Sequence, residues 1–182
     1  RGDKVASVAL NDHRHLELYF GVPCYGAVLH TANFRLPQNH LSYIINHAED
    51  QVIFVDEDLL MFVELVRDQL KTVKYIVVLS HTGKKPVSNL PDLIMYDELI
   101  SQFPEEYDFP IDLSEWDPAM ICYTSATTGD PKGVVYSHRA IVLHTYAVAV
   151  TFGASEADCA LHIVPMFHAN AWCGPFAAVG AG

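Results

Sequence analysis

Basic residues are scarce in this chain. Eleven Lys and Arg stand against 22 Asp and Glu in 182 residues, a formal charge of −11. A nucleic-acid partner calls for a basic face, so this balance argues against one. Long apolar runs are also missing. No stretch approaches the roughly 20 residues of a membrane span, and no secretory leader is visible. The four cysteines (Cys24, Cys122, Cys159 and Cys173) show no C-x-x-C spacing, and two sit in apolar runs as buried reduced thiols do. The expected location is therefore a reducing cytoplasm, at most peripheral to a membrane. There is no H-E-x-x-H, and His162 and His168 have no Cys or acidic partner at ligand spacing, so the ten histidines do not read as a metal centre. His13, His15, His30, His40, His47, His81 and His144 read as surface or packed polar residues. No G-x-S-x-G elbow and no Ser-His-Asp order support a hydrolase. Neither G-x-G-x-x-G nor a glycine followed after four residues by Gly-Lys-Ser/Thr occurs, which removes the dinucleotide fingerprint and the common P-loop.

What the chain does have is concentrated between Ile121 and His138. The segment is apolar from Ala119 to Tyr123, passes through a turn rich in hydroxyls and glycine, and is apolar again from Gly133 to Tyr136. That order predicts strand, tight loop, strand. Thr124, Ser125, Thr127 and Thr128 cluster in the loop, followed by Gly129, Pro131, Lys132 and Gly133. Small residues and glycines let backbone N–H groups turn toward an anion, hydroxyls add donors, and Lys132 adds a positive charge. Polyphosphate binding is the chemistry this composition suits. On composition alone, a Ser/Thr-rich hairpin with no ligand is the plainer alternative.

The order of residues in Tyr123-Thr-Ser-Ala-Thr-Thr-Gly-Asp-Pro-Lys-Gly-Val134 resembles the phosphate-loop signature of the adenylate-forming superfamily. Ser137-His138-Arg139 and Pro165-Met-Phe-His-Ala-Asn-Ala-Trp172 are also similar to that family, the latter to its fatty acyl-CoA synthetases. Ala126 departs from the pattern, because the family usually has glycine there. A position that needs positive φ or close phosphate approach would be strained by it, and ATP binding weakened. The resemblance covers essentially the whole chain and implies a partial N-terminal AMP-binding domain, residues 1–182, of a longer enzyme. It implies a reaction in which a fatty acid and ATP give an acyl adenylate and coenzyme A then takes the acyl group. It assigns Thr124, Ser125, Ala126, Thr127, Thr128, Gly129, Lys132 and Gly133 to ATP, and Thr124 to Mg²⁺. It places His168 at the reacting carboxylate as a catalytic and substrate-binding residue, and Trp172 at the acyl tunnel. Residues 1–182 would not complete this site alone and would form no acyl adenylate. The open alternatives are a non-catalytic nucleotide-binding fragment, a homodimerisation piece, and an adenylate-forming enzyme for a different carboxylic acid.

Composition and pattern give the fold. At 51% hydrophobic and 18% charged, the chain is globular, and 182 residues can bury a real core. Arg1 at the start and Gly180-Ala-Gly182 at the end are what a segment of a longer chain would show. Lys4 to Leu10, Val28 to Asn33, Gln51 to Asp56, Tyr75 to Leu79 and Cys159 to Val164 read as further strands. Helices are expected after Asn11 or Asp12, with Pro23 kinking or splitting the first; from Pro37 onward; along the stripe Leu59, Leu60, Val63, Val66, Leu70 capped by Asp56; over Asp97 to Phe103; and over Arg139 to Phe152, apolar nearly all round and so buried. Residues 104–118 are acidic and punctuated by proline, a surface connection. Strands alternating with helices predict an α/β fold, a mostly parallel sheet with helices on both faces. Lys132, His138 and Arg139 are expected to form one local positive field.

Overall fold

The computed structural model describes residues 1–125 and 129–182. In chain order the elements are β1 (Lys4–Val8), α1 (His13–Tyr25), β2 (Val28–Thr31), α2 (Gln38–Ala48), β3 (Asp50–Asp56), α3 (Leu60–Val66), β4 (Tyr75–Leu79), β5 (Ile94–Met95), α4 (Tyr96–Ile100), β6 (Pro118–Tyr123), β7 (Gly133–Ser137), α5 (His138–Phe152) and α6 (Gly174–Gly180). They build one sheet in the order β5-β4-β3-β1-β2-β6-β7. Every neighbouring pair from β5 to β6 is parallel, and β7 alone runs antiparallel, with Ile121 opposite Val135. The expected mostly parallel sheet is what forms.

The central strands are runs of β-branched and aliphatic residues buried on both faces, as parallel strands require. Leu18 and Tyr19 of α1 pack over Leu29, Met120 and Ala9 on one face. Leu41, Ile44 and Ile45 of α2 and Val63 and Val66 of α3 cover Val28, Ile53, Val55 and Ile121 on the other. Each such aliphatic side chain contributes about 1.5–3 kcal/mol when fully buried. Helices therefore lie on both faces, and the carboxyl ends of β1, β2 and β6 come out side by side at one edge.

Local details depart from expectation in instructive ways. The α1 N-cap is Asp12, whose carboxylate accepts from the His15 amide at 2.8 Å. Pro23 neither splits nor ends α1, which continues to Tyr25. It falls in the last turn, where the missing N–H removes a single helical bond near an end that frays anyway. The stripe from Leu59 to Leu70 is not one helix. Tight 3₁₀ turns over Glu57–Leu59 and Arg67–Gln69 flank α3, while the stripe itself stays buried. Asp56 makes no cap there and instead accepts from the Leu10 amide at 2.5 Å, joining the ends of β3 and β1.

Two larger expectations fail. Residues 159–164 form no strand and lie mostly exposed. Instead of a ladder, the carbonyls of His162 and Val164 accept from one side chain, Asn11 Nδ2, at 3.0 and 2.9 Å. Helix α5 is present, but only Ile141 is buried; Val142, Leu143, Tyr146, Val150 and Phe152 face outward. An all-apolar helix demands cover on every side, and the described residues supply it on one.

Candidate phosphate and acyl site

The loop after β6 joins two strands, as expected, and is closed across its mouth by the backbone. Thr124 N donates to the Lys132 carbonyl at 3.0 Å, and Lys132 N donates to Thr124 Oγ1 at 3.2 Å. With its main chain held this way, Lys132 is exposed, as are Thr124, Ser125 and Gly129. Gly129 has φ 81°, a left-handed conformation that glycine adopts without strain. Ala126, Thr127 and Thr128 lie outside the described residues.

The expected joint positive field of Lys132, His138 and Arg139 does not form. Because β7 returns antiparallel, Gly133 lies opposite Tyr123 at the loop end and Ser137 lies opposite Pro118 at the far end. A strand of this length spans on the order of 15 Å, so His138 and Arg139 sit at the other edge of the sheet. There Arg139 pairs with Glu115 at 2.8 Å and stacks 5.2 Å from the Trp116 ring centre. Of the three, Lys132 alone is at the loop.

The segment carrying His168 and Trp172 reaches the same sheet edge by a different route from the one expected. It does not extend a strand; it is strapped across the strand ends. Asn11, just beyond β1, donates to the His162 and Val164 carbonyls and accepts from the Met166 amide at 2.8 Å. The Tyr19 hydroxyl donates to the Met166 carbonyl. Phe167 is buried with its ring 4.5 Å from that of Phe34, and Arg35 lies 5.1 Å over it. Thr31, the last residue of β2, donates from Oγ1 to Asn170 Oδ1 at 2.8 Å.

Beyond His168 the backbone turns left-handed. Ala169 to Cys173 all have φ between 47° and 56°. L-residues pay roughly 1–2 kcal/mol each in this region, so such a run persists only where its surroundings hold it. Asn170, the residue type there that tolerates the conformation best, is buried and hydrogen-bonded to Thr31. His168 and Trp172 therefore do not share one face of a right-handed helix. His168 is exposed, whereas Trp172, with 69% of its surface accessible, lines a cleft of about 270 Å³ with Tyr136, His144, Ala169 and Asn170.

The bracing role of Asn11, Tyr19, Thr31 and Asn170 is not legible in the sequence. Their contacts join positions 139 to 155 residues apart, which no local pattern signals. Burial pushes the Cys173 thiol up to about 11 and raises Cys122 as well, which disfavours the thiolate at both. Among the described residues no three His, Cys, Asp or Glu side chains converge as a metal centre, and no helix is long and apolar enough to cross a membrane.

The loop after β6 and the strapped segment both reach the carboxyl edge of an α/β domain built on a mostly parallel sheet. The chain belongs to the AMP-binding enzyme family, whose profile matches residues 1–182. It is 49% identical over 183 residues to a long-chain-fatty-acid–CoA ligase of Thermus thermophilus, covering 100% of this chain and 32% of that protein. It is 42% identical over 182 residues to a medium-chain-fatty-acid–CoA ligase of Ectopseudomonas oleovorans, covering 99% of this chain and 33% of that one. The chain thus spans about a third of the length of the curated relatives it matches. A crystal structure of a long-chain-fatty-acid–CoA ligase from Archaeoglobus fulgidus superposes with a TM-score of 0.83 at 22% identity, over 100% of this chain and 34% of that one, and shares the fold.

Proposed function

We propose that residues 1–182 are a partial N-terminal AMP-binding domain of an enzyme that joins a fatty acid to coenzyme A at the expense of ATP. The observation that carries this reading is the meeting of two segments at one sheet edge. The loop after β6, with exposed Lys132, and the strap bearing His168 and Trp172 both lie where the parallel strands β1, β2 and β6 end. Open α/β sheets bind their ligands at that edge. The activities of the two fatty-acid–CoA ligase relatives supply the substrate class.

In this reading a carboxylate oxygen attacks the α-phosphorus of ATP, the bond to the bridging oxygen breaks, and pyrophosphate leaves. The thiolate of coenzyme A then attacks the acyl carbonyl carbon, and the C–O bond to AMP breaks. The chain's task in the first step is to bring two anions together. Lys132 binds the β/γ-phosphates as a point charge, with Thr124, Ser125, Gly129 and Gly133 around it and Ala126, Thr127 and Thr128 completing the loop. Mg²⁺ suits this edge in one respect: among the described residues Thr124 Oγ1 accepts one hydrogen bond, from Lys132 N, and keeps a lone pair. Thr124 would hold the ion in company with phosphate oxygens and water, and the ion would neutralise phosphate charge when bound. His168 orients the acyl carboxylate, and Trp172 forms a wall for the hydrocarbon tail. The free cysteines fit a reducing cytoplasm.

Trp172→Ala in the full-length enzyme tests the substrate class. Each buried methylene contributes about 0.8 kcal/mol, so widening the cleft shifts relative kcat/KM by several-fold per few carbons along an acid series, with ATP affinity unchanged. Pyrophosphate release measured from short to long acids reads the shift. An unchanged chain-length profile accompanied by lost stability would return Trp172 to packing alone. Turnover confined to aromatic or short polar acids would assign a different carboxylic acid.

A further inference from the structure

Tyr123 is the last residue of β6, and its ring occupies a defined slot beneath the mouth of the loop. Its hydroxyl shares a hydrogen bond of 2.7 Å with Nδ1 of His47, near the end of α2. The two rings meet edge-on, with centroids 5.8 Å apart and planes at 86°. His47 is held in turn by stacking on Tyr43, at 5.2 Å and 26°. The buried His30 ring lies 5.0 Å from the Tyr123 ring. Against the same hydroxyl end of the ring lies Gly133, the first residue of β7 and the register partner of Tyr123. A Cβ at position 133 would sit 3.1 Å from Tyr123 Cζ and 3.3 Å from its hydroxyl oxygen, so the glycine is what lets the ring lie there. One aromatic ring thus touches both strands that bear the loop, directly below the Thr124–Lys132 closure. The hydroxyl ties that ring to the helix layer by a directed bond to α2.

We propose that His47 and Tyr123 are positioning residues for the phosphate loop: the His47–Tyr123 hydrogen bond fixes the ring against Gly133, and the ring sets the separation of the loop's two ends and so the aim of Lys132. Neither residue touches nucleotide. The inference rests on the phosphate role assigned to the loop, and goes beyond it by placing control of that loop in α2, 76 residues earlier in the chain.

The test uses the full-length enzyme and four variants: His47→Leu, Tyr123→Phe, the double variant, and His47→Asn, whose Oδ1 can replace Nδ1 toward the hydroxyl. ATP affinity is measured by calorimetry, alongside KM for ATP, KM for the acid, kcat and Tm. A neutral hydrogen bond of this kind corresponds to about three- to tenfold in an equilibrium. The expected result is a rise of about that size in Kd and KM for ATP in both single variants, with kcat and acid KM within about twofold of wild type. The double variant should be no worse than either single, because both remove the same bond. His47→Asn should restore ATP binding to within about twofold. The proposal is overturned if both single variants keep wild-type ATP affinity, whatever happens to Tm, or if their effects multiply in the double. Should His47→Leu fail to fold, Tyr123→Phe, which loses one oxygen, decides alone. Wild-type enzyme that binds ATP but releases no acid-dependent pyrophosphate defeats the ligase reading and leaves this comparison standing; wild type that binds no ATP defeats both.

Discussion

Lys132→Ala in the full-length enzyme is expected to lower kcat/KM for ATP by about ten- to a hundredfold. A charge-assisted hydrogen bond to phosphate is worth roughly 1.5–3 kcal/mol, and each 1.4 kcal/mol is a factor of ten. The geometry makes the substitution clean. Loop closure uses the backbone N–H and carbonyl of Lys132, which alanine keeps, so truncation removes the charge and leaves the closure intact. Arg139 does not take over, because it is at the far end of β7 with Glu115. The acid's KM should hardly move. Lys132→Arg should recover part of the loss, since the charge returns while the compact point-charge geometry does not. Initial-rate kinetics against ATP at saturating acid decide it, and unchanged ATP parameters in Lys132→Ala would remove the phosphate role.

Much of the fold was legible because it follows from short-range patterning. Tyr75-Ile-Val-Val-Leu79 reads as a buried strand and is β4 to the residue. Asp12 caps α1 for the reason its side chain suggests. The strand–loop–strand at Ile121 to Tyr136 follows from apolar runs flanking a turn. What could not be read is what lies across the sheet from what. The apolar run over 159–164 suggests a strand, but a strand needs an edge to pair with, and this segment crosses strand ends instead, held by Asn11. The apolar circumference of α5 states a need for burial without saying what meets it.

The candidate site divides the same way. Its chemistry-bearing residues lie in two contiguous motifs and were found together. Its geometry was not legible: residues four apart share a face on a right-handed helix, but between His168 and Trp172 the chain runs left-handed. That turn depends on Thr31 and Asn170 meeting across 139 residues. The grouping of Lys132 with His138 and Arg139 failed for a topological reason, since sequence proximity across an antiparallel strand places residues at opposite ends of it.

Protonation of His15 should destabilise the domain by about 3 kcal/mol in full, the second large effect expected. His15 is fully buried at the start of α1. Its Nδ1 donates to the Leu10 carbonyl at 2.9 Å, and its Nε2 faces Ser7 Oγ at 3.0 Å. Neutral imidazole satisfies both contacts, with Ser7 donating to Nε2. Burial is the largest influence and pushes its pKa down to about 4; the Leu10 hydrogen bond and Asp12 oppose this without reversing it. With an ordinary pKa near 6.5, the unfolded chain binds the proton first as pH falls. Between about 6.5 and 4 the unfolded state therefore holds more protons than the native state, and stability falls with falling pH. The contribution is complete above about 6.5 and lost progressively down to about 4, amounting to roughly 2 kcal/mol by pH 5 at about 1.4 kcal/mol per unit. The consequence reaches the site, because His15 packs edge-on against Tyr19, at 5.3 Å, and Tyr19 holds the strap through Met166. Urea unfolding of the full-length protein, wild type against His15→Gln at pH 7.5 and pH 5.0, isolates the residue, since every other titrating group is common to both. His15→Gln should be the less stable at pH 7.5 and should lose markedly less on acidification. Parallel pH profiles for the two proteins would show that His15 is not the group that titrates.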